Sequence, residues 1–316
     1  MGKRAFTFPG QGSQAVGMGK DLADAFPEAR EVFAEVDDAL GQKLSAIMFD
    51  GPAETLQLTE NAQPALMAVS MAIVRVLETR GIKLKDSAAY VAGHSLGEYS
   101  ALCAAGVFSL SDTARLLKIR GQAMQQAVPV GQGAMAAILG LDLETVLAAV
   151  NDAEDGEVCG VANDNAPGQV VISGHVGAVN RAIELLKAAG AKRALPLPVT
   201  APFHCALMRP AADAMEHALD AVTTNAPSVP VVANVLARPT SDPAAIKQHL
   251  VEQVTGMVRW TESVRWLVGE GSVTELYELG SGKVLTGLAK RIAPDASATA
   301  VNSPADIDAL ATALAG

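Results

Sequence analysis

Aromatic side chains are scarce in this chain, at 4% of 316 residues, so its core has to be built from small and aliphatic groups. Alanine, valine, leucine and glycine fill that role, and side chains of this size let helices approach a parallel sheet closely. Basic residues are also short: 24 Lys and Arg stand against 34 Asp and Glu, for a formal charge of −10. No nucleic-acid partner is expected, since neutralising phosphate needs clustered Lys and Arg. No apolar run is long enough to span a bilayer, so no membrane association is expected either. Lys3 and Arg4 are not followed by an apolar stretch, which argues against a signal peptide, and Phe6 stands where a myristoylation motif needs Ser or Thr. Cysteine is limited to Cys103, Cys159 and Cys205, an odd number without metal-ligand spacing. These are expected as reduced thiols in a cytoplasmic protein, with no metal site.

What is present is apolar. Half of the residues are hydrophobic and 18% are charged, the composition of a folded globular chain rather than a disordered one. A length of 316 residues exceeds the size at which a single core stops growing, so a large domain with a smaller one inserted is expected. The pattern along the chain agrees. A short strand, Arg4 to Phe8, runs into a Gly/Gln turn, and helical spacing follows through Leu40 and again from Ala65 to Leu77. A strand from Ala88 to Ala92 stops at Gly93-His94-Ser95, with helices from Tyr99 to Ala105 and Ser111 to Gln126.

From Gly133 the pattern changes to strand, helix (Leu143 to Val150), strand (Val158 to Ala162), strand (Val170 to Ser173), helix (Val179 to Ala189) and strand (Ala194 to Val199). This β-α-β-β-α-β order is that of a ferredoxin-like unit. It predicts a small domain at 129–199 inserted into a large α/β domain formed by 1–128 and 200–316. After it come helices near Ala211 to Val222, Pro243 to Val254 and Thr261 to Gly269, strands near Val229 to Asn234 and Val273 to Leu279, and a helix to Ile292.

Gly93-His94-Ser95-Leu96-Gly97 fits the G-x-S-x-G nucleophile elbow and sits between a strand and a helix, as that motif must. The sharp turn forces the serine into a strained conformation, which glycines on either side make sterically feasible. Of the five histidines, His94 lies within the elbow, and His175, His217 and His249 fall on surface helices or their ends. His204, in the irregular Pro202-Phe203-His204-Cys205, is the candidate base, because catalytic groups concentrate in loops held by a rigid scaffold. Gly10-Gln11-Gly12-Ser13-Gln14 has two readings: a weak dinucleotide-binding match, or a loop presenting backbone amides to an oxyanion.

These segments, together with Phe8-Pro9, Arg120-Gly121, Ala201 to Met208 and Gly280-Ser281-Gly282-Lys283-Val284-Leu285, resemble the malonyl-CoA:acyl carrier protein transacylases of bacterial fatty acid synthesis over essentially the whole chain. The resemblance implies an α/β-hydrolase-like large domain carrying the ferredoxin-like one. It implies Ser95 as nucleophile, His204 as general base and acid, the amides of Gln11 and Leu96 as oxyanion hole, and Arg120 as partner of the malonyl carboxylate. It also implies that the main-chain carbonyl of Gln253 orients the histidine. The stretch Val254-Thr255-Gly256-Met257-Val258 departs from the family's pattern, which bears on the alignment of Gln253. Malonyl-CoA and acyl carrier protein are the implied partners, no cofactor is expected, and a monomer is expected.

Two rivals carry different chemistry. A hydrolase of the same fold would hand the acyl group to water, and would place an acidic triad member before a late histidine. An acyl-CoA or nucleotide sensor would need neither Ser95 nor His204. Among acyl groups, Phe203 should crowd a branched α-carbon, and Arg120 would be left buried without a partner by acetyl. Lys283, Lys290 and Arg291 are candidates for a basic patch that receives an acidic carrier protein.

Overall fold

The computed structural model describes residues 2–199 and 201–315. Its elements, in chain order, are β1 (Lys3–Phe8), α1 (Lys20–Ala25), α2 (Pro27–Leu40), α3 (Leu44–Asp50), α4 (Ala53–Gln57), α5 (Thr59–Thr79), α6 (Leu84–Ser87), β2 (Tyr90–Gly93), α7 (Leu96–Ala104) and α8 (Leu110–Gln126). The middle of the chain forms β3 (Gly133–Leu139), α9 (Leu143–Ala153), β4 (Cys159–Ala166), β5 (Gln169–His175), α10 (Val176–Ala188) and β6 (Arg193–Pro196). The last part contains a short 3-10 turn, then α11 (Arg209–Asp220), β7 (Val231–Ala233), β8 (Arg238–Thr240), α12 (Pro243–Thr255), α13 (Trp260–Val268), β9 (Val273–Leu279), α14 (Val284–Ile292), β10 (Ser297–Val301) and α15 (Pro304–Ala315).

Among the described residues, ten strands make two sheets. The larger has the order β10-β9-β1-β2-β7-β8, parallel throughout except for β8, which pairs antiparallel with β7 at the edge. The smaller is antiparallel, in the order β4-β5-β3-β6. A parallel sheet buries both faces, and β1 reads accordingly: Ala5, Phe6, Thr7 and Phe8 are all buried. Beneath it, α5 is apolar around most of its circumference because it runs through the core rather than over it. Each of its fully buried Leu66, Met67 and Ile73 side chains contributes roughly 1.5–3 kcal/mol of burial free energy. Caps fix other helix starts: Ser109 Oγ accepts from the Asp112 amide at 3.0 Å ahead of α8, and Asp242 accepts from Ala245 at 2.8 Å ahead of α12.

The hairpin β4–β5 is longer than the Asn163-Asp164-Asn165 run suggests. Those residues extend β4 instead of turning, and the reversal is confined to Pro167-Gly168. The physical reason is tertiary. Asp164 N donates to Val258 O at 3.0 Å, and Val258 N donates to Ala162 O at 2.9 Å, so β4 bridges to the chain after α12. Thr261 Oγ1 adds a bond to the Asp164 carboxylate at 2.9 Å. The last strand of the small sheet stops at Pro196, short of the expected Val199, which leaves residues 197–199 free to face the cavity described below. The expected domain junction at Thr200, with Met1 and Gly316 at the ends of the large unit, lies outside the described residues. Among the described residues no helix is long and apolar enough to cross a membrane.

Candidate active site

In the larger sheet β1 lies between β2 and β9, and because these strands and β7 are parallel their carboxyl ends share one edge. Crevices form beyond such carboxyl ends in open α/β sheets. Ser95 occupies this one, between β2 and α7, with φ 54° and ψ −111°. The two flanking glycines have a steric cause. A Cβ on Gly93 would lie 1.9 Å from the Gly97 backbone, and one on Gly97 would lie 2.2 Å from Phe8 O. The strained turn is held by side chains from far along the chain. Asn234 accepts from Ser95 N at 2.7 Å and donates to Gly93 O at 2.7 Å, while Gln253 Nε2 donates to Ser95 O at 3.1 Å.

His204 also has positive φ, 57°, and its ring reaches Ser95 Oγ through Nε2 at 2.8 Å. On its other side Nδ1 meets the carbonyls of Gln253 at 2.9 Å and Gly256 at 3.2 Å. A carbonyl only accepts, so Nδ1 carries the proton and the Nε2 lone pair faces the serine hydroxyl, which donates to it. Burial, followed by the nearby Arg120 charge, holds the imidazole down at about 3. It is therefore neutral, and free to accept a proton, across the physiological range. The departure at 254–258 does not disturb this contact.

Arg120, on α8, is only 1% exposed. Its Nη1 donates to Gln63 Oε1 at 2.9 Å, and its Nη2 to Gln253 Oε1 at 2.9 Å and Ser95 Oγ at 3.1 Å. The Tyr99 ring lies beside it, centroid 5.6 Å from Cζ. The buried Nε has no hydrogen-bond partner among the described residues, nor has the Tyr99 hydroxyl. Tyr99 nevertheless favours the charged guanidinium, through its proximity and its hydrogen-bonding capacity.

These groups open into a cavity of about 640 Å³, with Phe203 in its wall. Gln11, exposed on the loop after β1, and Ser95 line it, as do Met135 and Asn163 from the small sheet. Leu96 is the first residue of α7, so its amide is one of the first-turn donors that a helix leaves unpaired. No helix opens on the Gly10–Gly12 loop, the next beginning at Lys20, which removes the dinucleotide reading. His94 is engaged through Nε2 with Asn165 at 2.8 Å, and His175 Nδ1 accepts from Val158 N. Among the described residues no cluster of His, Cys, Asp or Glu is suited to hold a metal ion. The suggested basic patch is less uniform than its spacing implies. Lys283 precedes α14 rather than lying on it, and Arg291 is tied to Pro167 O at 2.8 Å.

Sequence reasoning missed Asn234, Glu98, Gln63 and the side chain of Gln253. Only Glu98 carried any signal, as the acid ending Gly93-His94-Ser95-Leu96-Gly97-Glu98.

A strained serine paired with a neutral histidine, inside a cavity that also holds a buried arginine, is the equipment of an acyl-transferring enzyme. The acyl transferase domain family matches residues 5–276. A malonyl CoA-acyl carrier protein transacylase of Escherichia coli (strain K12) is 52% identical over 310 residues, covering 98% of this chain and 98% of that one. The crystal structure of an acyl-carrier-protein-S-malonyltransferase from Bartonella henselae superposes with a TM-score of 0.97 at 57% identity, over 99% of this chain and 100% of that one. A malonyl-transacylase solved in complex with a type II PKS acyl-carrier protein superposes with a TM-score of 0.94 at 48% identity, over 99% of each chain. The chain belongs to the malonyl CoA-acyl carrier protein transacylase family.

Proposed function

We propose that the protein transfers the malonyl group of malonyl-CoA to the phosphopantetheine thiol of an acyl carrier protein, through a malonyl ester on Ser95. The observation that carries this reading is Ser95 Oγ held between His204 Nε2 at 2.8 Å and Arg120 Nη2 at 3.1 Å. In the first half-reaction the hydroxyl gives its proton to His204 as Oγ attacks the thioester carbonyl. The amides of Gln11 and Leu96 receive the oxyanion, each donor contributing roughly 3 kcal/mol in the transition state. Collapse expels the CoA sulfur, which takes the proton from His204. The carrier thiol then runs the same steps in reverse, giving its proton to His204 and regenerating Ser95. Splitting the transfer into two ester steps lets one site serve two carriers. The exchange is redox-neutral and balances without a cofactor.

Arg120 is the proposed partner of the malonyl carboxylate. Its Nη2, beside Ser95 Oγ, places a guanidinium donor next to the acyl position for a charge-assisted pair, worth about 1.5–3 kcal/mol. The carrier protein named in a relative's complex supports the acceptor. The order β3-α9-β4-β5-α10-β6 supports reading 129–199 as a ferredoxin-like domain inserted into an α/β-hydrolase-like one at 1–128 and 200–316. The proposal takes the enzyme as a monomer, and three buried free cysteines suit a cytoplasmic location.

The test is intact-protein mass spectrometry. Mixing with malonyl-CoA should give one malonyl adduct, absent in Ser95→Ala, and adding holo carrier protein should discharge it onto the carrier. An adduct that persists in Ser95→Ala, or one lost to water in preference to the carrier, overturns the proposal.

A further inference from the structure

Glu98 is a buried carboxylate that the transfer steps leave unused. It lies three residues after the nucleophile on α7 and is 2% exposed. Its Oε2 accepts from Gln253 Nε2 at 2.7 Å and from Asn234 N at 3.0 Å. The same Gln253 amide gives its oxygen to Arg120 Nη2 at 2.9 Å. The two neighbours fix which way this amide points. A carboxylate accepts only and a guanidinium donates only, so the reversed amide would set like against like at both ends. Glu98, the Gln253 amide dipole and Arg120 thus form a line from negative to positive charge.

That line answers a question the Arg120 site raises. A fully buried guanidinium needs a compensating anion, yet no carboxylate among the described residues lies within ion-pair distance of it. Burial works against the Arg120 charge, while Tyr99 and Glu98 favour it. Glu98 is the formally charged member of that pair.

We propose that Glu98 is a positioning residue and the counter-ion of Arg120 in the unloaded site, acting through the Gln253 amide. An incoming malonyl carboxylate replaces it in that role, and Glu98 then takes a proton from solvent. This inference rests on the pairing of Arg120 with the malonyl carboxylate proposed above.

The sign follows from the charges. Burial raises the Glu98 carboxyl to about 7, against the opposing pull of the Asn234 amide, the Gln253 amide and Arg120. Of the elements around α7, α8 presents Arg120 and α12 presents the neutral Gln253 side chain. Tyr99, on α7 itself, has its phenol driven upward by burial and stays neutral, and His204 is neutral as well. A second anion bound at Arg120 raises the Glu98 carboxyl further, so malonyl loading takes up protons near neutrality and weakens as pH climbs above that range. Acetyl carries no carboxylate and leaves Glu98 as it was. The acyl step does not confuse the count, because the Ser95 proton passes through His204 to the CoA sulfur and none is exchanged with solvent.

Two measurements test this. In weakly buffered solution at about pH 7 with a pH indicator, saturating malonyl-CoA should cause proton uptake at the loading step, and acetyl-CoA should not. The malonyl-to-acetyl ratio of loading equilibria should fall about ten-fold between about pH 6 and pH 9 in the wild type, the factor that corresponds to a shift of one pH unit. It should be flat in Glu98→Gln, which keeps an oxygen for both hydrogen bonds but cannot titrate. Equal uptake with both thioesters, no uptake with either, or an unchanged slope in Glu98→Gln overturns the proposal. Should Glu98→Gln fail to fold, proton uptake by the wild type decides. Arg120→Ala separates the two readings. If it keeps wild-type discrimination between malonyl and acetyl, the carboxylate assignment has failed. If it loses that discrimination while the wild type takes up no proton, only the role of Glu98 has failed.

Discussion

The rim of the large sheet and the body of the small one obey opposite rules. Around Ser95 the interior is polar: Glu98, Arg120, Asn234 and Gln253 are all buried, and Ser95 and His204 are both held at positive φ. The small sheet is locally self-consistent. Asp142 caps α9 through a 2.8 Å bond to Thr145 N, and Ala136, Ile138, Val146, Ile172 and Leu186 fill an apolar core. The polar region supplies the groups proposed to react, and the apolar one supplies wall and volume. Buried polar groups are concentrated where function requires them, whereas positive φ is not confined there, since Asp155, Ala237 and Ser272 also adopt it.

Three substitutions sharpen that contrast. His204→Ala, on the strained rim, should slow both half-reactions by roughly 10²–10⁴-fold with the fold retained, as loss of a general base does. In the wild type, the rate of acetyl loading should show no acid limb due to His204 until pH nears its value of about 3, since the base works when deprotonated. Pre-steady-state loading rates check both, and a wild-type rate in His204→Ala would remove the histidine from the chemistry. Arg120→Ala should lower malonyl transfer at least about ten-fold and keep or raise acetyl transfer, from the size of a charge-assisted carboxylate bond. Parallel loss with both thioesters would make Arg120 structural. In the small sheet, Ile172→Ala should lower unfolding free energy by about 2–5 kcal/mol in urea titrations while the folded enzyme keeps its wild-type kcat. A matching fall in kcat would dissolve the division of labour.

Legibility in the sequence follows the same line. Strands 133–139 and 273–279 can be read to the residue, the first as an apolar run and the second from its Val, Leu and Tyr content, because glycine or serine bounds both. Short elements such as α3, α4, α6 and β8 cannot, since three to seven residues do not complete a periodic pattern, and β10 alternates too weakly at its edge position. Asn163 and Asp164 have turn chemistry, and only the bridge to Val258 makes them strand. At the site, Ser95 is visible because its constraint is local, set by Gly93 and Gly97. His204 is visible as a loop histidine and Gln11 as one of two readings of its glycine-rich loop, whereas Arg120, Leu96 and Gln253 are visible only through the family resemblance. The Gln253 side chain, Asn234 and Glu98 acquire meaning from partners up to 158 positions apart, which no local pattern encodes.

That separation has a consequence for synthesis. Ser95 emerges from the ribosome 139 residues before Asn234 and 158 before Gln253, the two side chains that hold its backbone. At about 5–20 residues per second, the elbow waits roughly 8–30 seconds for its second clamp. Until Asn234 arrives neither clamp holds the positive φ, and until Gln253 follows the hold is incomplete. The nascent polypeptide therefore carries a chemically silent serine, and the enzyme arms itself only once synthesis has passed Gln253.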